Sequence, residues 1–133
     1  MPNIVNQTIL LDGSKLATIH LYIESDGVSG ELNNQLVVDM KNDIMPFGSP
    51  TQATIQQIWW GQSYYDSRLS FQDTVPVPFW VMPVGSDSHI DFRCVGGIKV
   101  PVDLDGNANL LLTTAGFAPA GSWGSYIIQL KKT

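Results

Sequence analysis

A chain of 133 residues has the length of one domain and one core. Its formal charge of −5 argues against a phosphate-backbone partner, and its one cysteine, Cys94, excludes an internal disulfide framework and a cysteine-based zinc site. Charged residues make up only 14% of the chain against 44% apolar ones, where a typical soluble domain has about a quarter charged. Part of the surface is therefore expected to be covered by further copies or by a larger assembly.

The start of the chain lacks a basic segment followed by an apolar core, so no Sec signal is expected. No apolar run approaches the ~20 residues of a membrane span. These features read as a protein made in a reducing cytoplasm.

Period-two alternation dominates the chain. In residues 15–24, Ala17, Ile19, Leu21 and Ile23 fall on one face, and Thr18, His20, Tyr22 and Glu24 on the other. Asp12-Gly13 just before them is a hairpin signal, so residues 8–11 are expected to pair with this strand. Residues 35–40 alternate again, predicting Leu36, Val38 and Met40 inward. The segment "NDIMPFGSP" is a connector. Residues 53–60, "ATIQQIWW", read as a β-branched and aromatic strand, and after a turn residues 68–72 return with Leu69 and Phe71 alternating.

Three prolines in "VPVPFWVMP" (75–83) cannot donate to a ladder, which predicts a sheet edge. Residues 90–102 supply one or two short strands, and 108–114 and 125–131 close the series. No helical period of useful length occurs. The expected fold is all-β: a single β-sandwich over 1–133 of about eight short, mainly antiparallel strands, jelly-roll or immunoglobulin-like.

Residues 102–110, "VDLDGNANL", place side-chain oxygens at alternate positions, as a calcium loop does. An EF-hand loop needs glycine at its sixth position and glutamate at its twelfth. Counted from Asp103, glycine comes fourth and the twelfth residue is Thr114. Asp105-Gly106-Asn107 between two strands reads as a tight turn. No metal and no cofactor are expected.

"GSDSH" (85–89) holds the ingredients of a hydrolase triad, but triad members converge from separate elements, and no nucleophile elbow occurs. It reads as a polar loop. Cys94 reads as a buried inert thiol and His20 as a solvated or interface side chain. No catalytic residue is expected.

The aromatics point to contact instead. Neighbours in a strand face opposite sides, so one of Trp59/Trp60 and one of Phe79/Trp80 is expected to leave the core, with Tyr64 and Tyr65 beside them. Outward aromatics on a weakly charged surface favour protein contact. Residues 1–6, "MPNIVN", have no obvious pairing register and read as an arm, with Ile4 and Val5 as contact residues.

The pattern as a whole resembles small tailed-phage virion proteins that decorate or cement the capsid. The resemblance runs nearly end to end. It rests on "QTILLDGSKLATIHLYIESDGVSGE", "IQQIWW", the glycine pair at 96–97 and "LLLTTAGFAPAGSWGSYIIQLKK". These motifs are structural, so the resemblance carries over no catalytic residue. It implies a non-enzymatic protein on the capsid exterior, bound to the major capsid protein and to copies of itself as a trimer, with no nucleic acid or membrane partner. A head–tail connector or tail component, or a carbohydrate-binding module using an outward tryptophan, are the alternatives.

Overall fold

The structure, a computed structural model, describes residues 3–12, 15–38, 53–72, 75–85, 87–100 and 109–132. Ten strands lie in them, in chain order Ile4–Asp12 (β1), Leu16–Glu24 (β2), Gln35–Val38 (β3), Ala53–Gln62 (β4), Asp66–Phe71 (β5), Val77–Met82 (β6), Asp87–Asp91 (β7), Ile98–Val100 (β8), Leu110–Ala115 (β9) and Trp123–Lys132 (β10). A 3-10 turn, Arg93–Val95, separates β7 from β8.

One sheet runs β1-β2-β10-β4-β7, with β8 also on β4, and the other runs β3-β9-β5-β6. Every pairing between these strands is antiparallel. Without β1 and β8, the orders 2-10-4-7 and 3-9-5-6 are those of a jelly roll, in which successive strands cross between two facing sheets. The all-β sandwich expected from the sequence is therefore the fold, and its topology is the jelly roll rather than the immunoglobulin one. β7 and β8 share one edge of β4 in tandem, opposite Gln57–Gly61 and Ala53–Ile55 respectively.

Both sheets contribute to one core. Ala17, Ile19, Leu21 and Ile23 are fully buried, as the alternation predicts, and meet Leu69, Leu110 and Leu112 from the facing sheet. Burial of such side chains is worth about 1.5–3 kcal/mol each.

Three expectations are corrected. Ile4, Val5 and Asn6 are not an arm: they pair with Glu24, Ile23 and Tyr22 as the first residues of β1. Asn3 belongs to the same structure, since its Nδ2 donates to Gly30 O at 3.0 Å and its Oδ1 accepts from Asp26 N at 3.0 Å. In β3, a register shift between Leu36 and Val38 buries both Val37 and Val38 and leaves Leu36 exposed. An inserted residue breaks strict alternation there. Finally, Asp87–His89 open strand β7 instead of forming a loop.

Candidate interaction surfaces

The proline-rich segment lies where its missing donors predict. β6 ends the four-stranded sheet, and Pro78 sits within it. Opposite β5, Trp80 pairs with Leu69 and Pro78 with Ser70, so Phe79 is an extra residue in a bulge. The bulge turns both aromatic rings toward the core. Phe79 stacks on Phe71 with centroids 4.1 Å apart, and Trp80 meets Trp60 and Phe92 edge-on at 5.9 and 5.3 Å. The expectation that one of Phe79 and Trp80 leaves the core is thus corrected: both pack against it.

The other adjacent aromatics do divide as strand geometry requires. Trp60 packs on the core, while Trp59 lies on the outer face, stacked on His89 with centroids 4.6 Å apart and planes 9° from parallel. Tyr64 is 87% exposed and Tyr65 is fully buried. Burial takes the Tyr65 ring out of reach of any partner, so it is not a contact residue. Ile4 is exposed at the sheet edge, and Val5 packs on the core.

The outward apolar surface is made by residues that aromatic pairing alone does not single out. Along and beside β6, Val75, Val77, Val81 and Val84 are 74%, 45%, 59% and 52% exposed. Val81, opposite Arg68, faces outward, and Val77, opposite Phe71, lies on the core side at the open edge. Next to them a groove of about 450 Å³ opens on the outer side of this sheet, lined by Asp66, Arg68, Val81, Pro83, Thr113 and Ala115. Arg68 stands opposite Thr113 and Val81 in register and makes no ion pair among the described residues. An exposed guanidinium in such a groove suits a partner that supplies a carboxylate or carbonyl.

The two loop motifs of the resemblance meet in space. Glu31, closing "DGVSGE", accepts from Phe117 N through Oε1 and from Ala118 N through Oε2, each at 2.7 Å. Thr114 Oγ1 donates to Glu31 Oε1 at 3.2 Å. Ser25 N donates to Ser122 O at 2.8 Å, and Ser25 Oγ to Ala118 O at 3.0 Å. Within the first loop, Asp26 Oδ1 accepts from the amides of Val28 and Ser29, and Oδ2 from the Ser29 hydroxyl. The Ser29 hydroxyl and these amides hold the Asp26 carboxyl down at about 2. The motifs fasten one end of the sandwich.

Other singled-out residues are dispersed. His20 Nε2 lies 2.7 Å from Ser125 Oγ across the outer face. Cys94 is exposed in the 3-10 turn, which corrects its reading as a buried thiol. The Asp105-Gly106-Asn107 turn lies outside the described residues. Among the described residues no three histidine, cysteine or acidic side chains gather as a metal site, and no helix is long and apolar enough to cross a membrane.

Comparison with family models finds no match, and comparison with curated proteins finds none. Among solved structures, the chain is similar to a RmlC-like cupin family protein with a double-stranded β-helix fold from Methanocaldococcus jannaschii. The likeness covers 98% of this chain and 79% of that one at 8% identity, with a TM-score of 0.31.

Proposed function

We propose that this protein is a structural component of a tailed-phage virion, binding the outer surface of the capsid as a decoration protein and associating there with its own copies. The observation that carries the reading is the exposed valines in and beside a proline-bearing edge strand, Val75, Val77, Val81 and Val84, with Val81 lining the Arg68 groove on the outer face. Prolines keep such an edge from pairing with stray strands. Contact through it is therefore made by side chains, and exposed apolar side chains beside a polar groove suit a protein interface. The end-to-end resemblance to capsid-decorating proteins supports the choice of partner. Bridging several shell subunits through individually weak contacts raises the barrier to their separation, because each contact formed makes the next effectively intramolecular.

The test is occupancy of purified empty capsids by the wild-type chain and by Val81→Asp, Arg68→Ala and Tyr64→Ala, with melting curves beside each. Val81→Asp and Arg68→Ala are expected to fold normally and to lose capsid occupancy, since interface anchors contribute about 1–3 kcal/mol or more each. Full occupancy by both well-folded variants overturns the reading. Localisation of the density at the portal or tail would transfer the protein to the head–tail alternative.

A further inference from the structure

The six-stranded sheet carries a second, chemically different surface. On its outer face the register puts Ser125, Gly61 and Asp87 in one cross-strand row, and Ile127, Trp59 and His89 in the next. Gly61 stands in the middle of β10-β4-β7 without a positive φ, so backbone conformation does not require glycine there. A Cβ at this position would lie 3.8 Å from Asp87 Cβ and 4.0 Å from Trp123 Cζ3. Those are ordinary contacts, so the missing side chain leaves a gap in the outer face, as a strand glycine does where a ligand approaches.

The walls of this gap are fixed. Trp123 is 44% exposed and anchored by its own backbone: Ser63 N donates to Trp123 O at 2.9 Å, and Trp123 N donates to Ser63 Oγ at 3.0 Å. On the far side stands the Trp59–His89 stack. His89 Nε2 lies 2.9 Å from Gln57 Oε1, and Gln57 Nε2 donates to Gln129 Oε1 at 2.8 Å. Gln57 Oε1 only accepts, so the neutral imidazole carries its proton on Nε2 and leaves Nδ1 as an acceptor.

We propose that this face is a binding site for a neutral glycan, taking a pyranoside ring over Gly61. A pyranose presents a C–H face and a rim of hydroxyls. The exposed Trp123 indole suits the face, while the Asp87 carboxylate, His89 Nδ1 and the Ser125 hydroxyl suit the rim. The row from Ser125 to Asp87 crosses two strand spacings, about 10 Å, enough for a short oligosaccharide. A quaternary ammonium is a poorer fit, because it wants several open aromatic faces and one face of Trp59 is covered by His89. The site lies on the opposite sheet from Val81 and the Arg68 groove, so it faces away from any shell bound there.

The full chain is probed on an array of neutral gluco-, galacto- and manno-configured oligosaccharides, then titrated by tryptophan fluorescence with the trisaccharide that binds best. Wild-type protein is expected to bind, and Trp123→Ala and Gly61→Val to bind at least about tenfold more weakly with unchanged melting. Gly61→Val fills the gap without touching the core, and it is expected to occupy capsids normally, which separates this site from the capsid contact. No binding to any neutral oligosaccharide overturns the proposal, as does wild-type affinity in Gly61→Val. Displacement of the sugar signal by tetramethylammonium chloride would reassign the site to a cation.

Discussion

The hydroxyls of Tyr65 and Tyr126 lie 2.7 Å apart in the core, joining the turn after β4 to the middle of β10. Tyr126 donates onward to Gln62 Oε1 at 3.0 Å, which Ser67 Oγ also reaches at 2.5 Å. Gln62 Nε2 in turn donates to the carbonyls of Tyr65, Met82 and Pro83 at 2.9, 3.0 and 2.7 Å. With Tyr126 donating to Gln62, Tyr65 is the donor between the two phenols. Tyr126→Phe strands that donor and is expected to lose about 1–3 kcal/mol. Tyr65→Phe removes only a donor and is expected to lose less. Chemical denaturation of the two variants checks the order.

The same pair sets an alkaline limit. Burial, and then the neighbouring Tyr126, push the Tyr65 phenol far up, and burial also raises Tyr126 against the opposing bonds from Ser67 and Tyr65. In the unfolded chain both ionise near 10. Their contribution is therefore complete below about pH 10 and is lost as pH rises above it, because the unfolded state then binds fewer protons. Melting temperature should hold to about pH 9 and fall steeply beyond about pH 10. The Tyr65→Phe/Tyr126→Phe double variant should show a shallower fall; an identical slope would mean that other groups govern it.

Gly124 sits against these phenols. A Cβ there would collide with the Tyr65 hydroxyl and come within 2.7 Å of that of Tyr126. Gly124→Ala is expected to destabilise by about 1–3 kcal/mol through overpacking. Removing the struck oxygen with Tyr65→Phe should recover part of the loss, a coupling that a double-mutant cycle measures directly.

Faces of β2 give a fourth test. Ile19 is fully buried and Thr18 lies on the outer face. Ile19→Asp should abolish folding, since an unpaired buried carboxylate costs several kcal/mol, and Thr18→Asp should remain soluble with a near-normal melt.

Deletion of residues 2–6 is expected to lower the melting temperature. It removes the pairing of Ile4, Val5 and Asn6 with β2 and the Asn3 bonds to Asp26 and Gly30. A deletion that melts like the wild type would show that these contacts contribute nothing.

Regular alternation made much of this legible beforehand. The buried face of β2, the edge position of the proline-bearing strand and the split of Trp59 from Trp60 all follow from period two. Bulges are what alternation cannot announce. One extra residue at Phe79 turns two adjacent rings inward, and a shift in β3 reverses Leu36 and Val37. The pairing of residues 4–6 is not legible because "IVN" offers no charge or turn to mark a register, which β2 supplies only in the folded sheet. The bonding of Glu31 to Phe117 spans 86 positions and no local pattern encodes it. Of the interaction surfaces, the aromatics are visible in the sequence but the Val81 groove and the Gly61 gap are not, since both depend on which sheet edge and which row a residue joins.

Strand β10 runs between β2 and β4, although the nine other strands of the described residues precede it in the chain. During synthesis, β2 and β4 are complete long before their shared neighbour exists. Until β10 emerges, each holds an open edge with unpaired amides and carbonyls, and the hairpin of β1 with β2 is joined to nothing in its own sheet. The six-stranded sheet is therefore completed only after β10 has emerged, by insertion of one strand between two waiting ones, a closure across about a hundred residues of chain. A cell that makes this protein in quantity must keep that open intermediate apart from its copies.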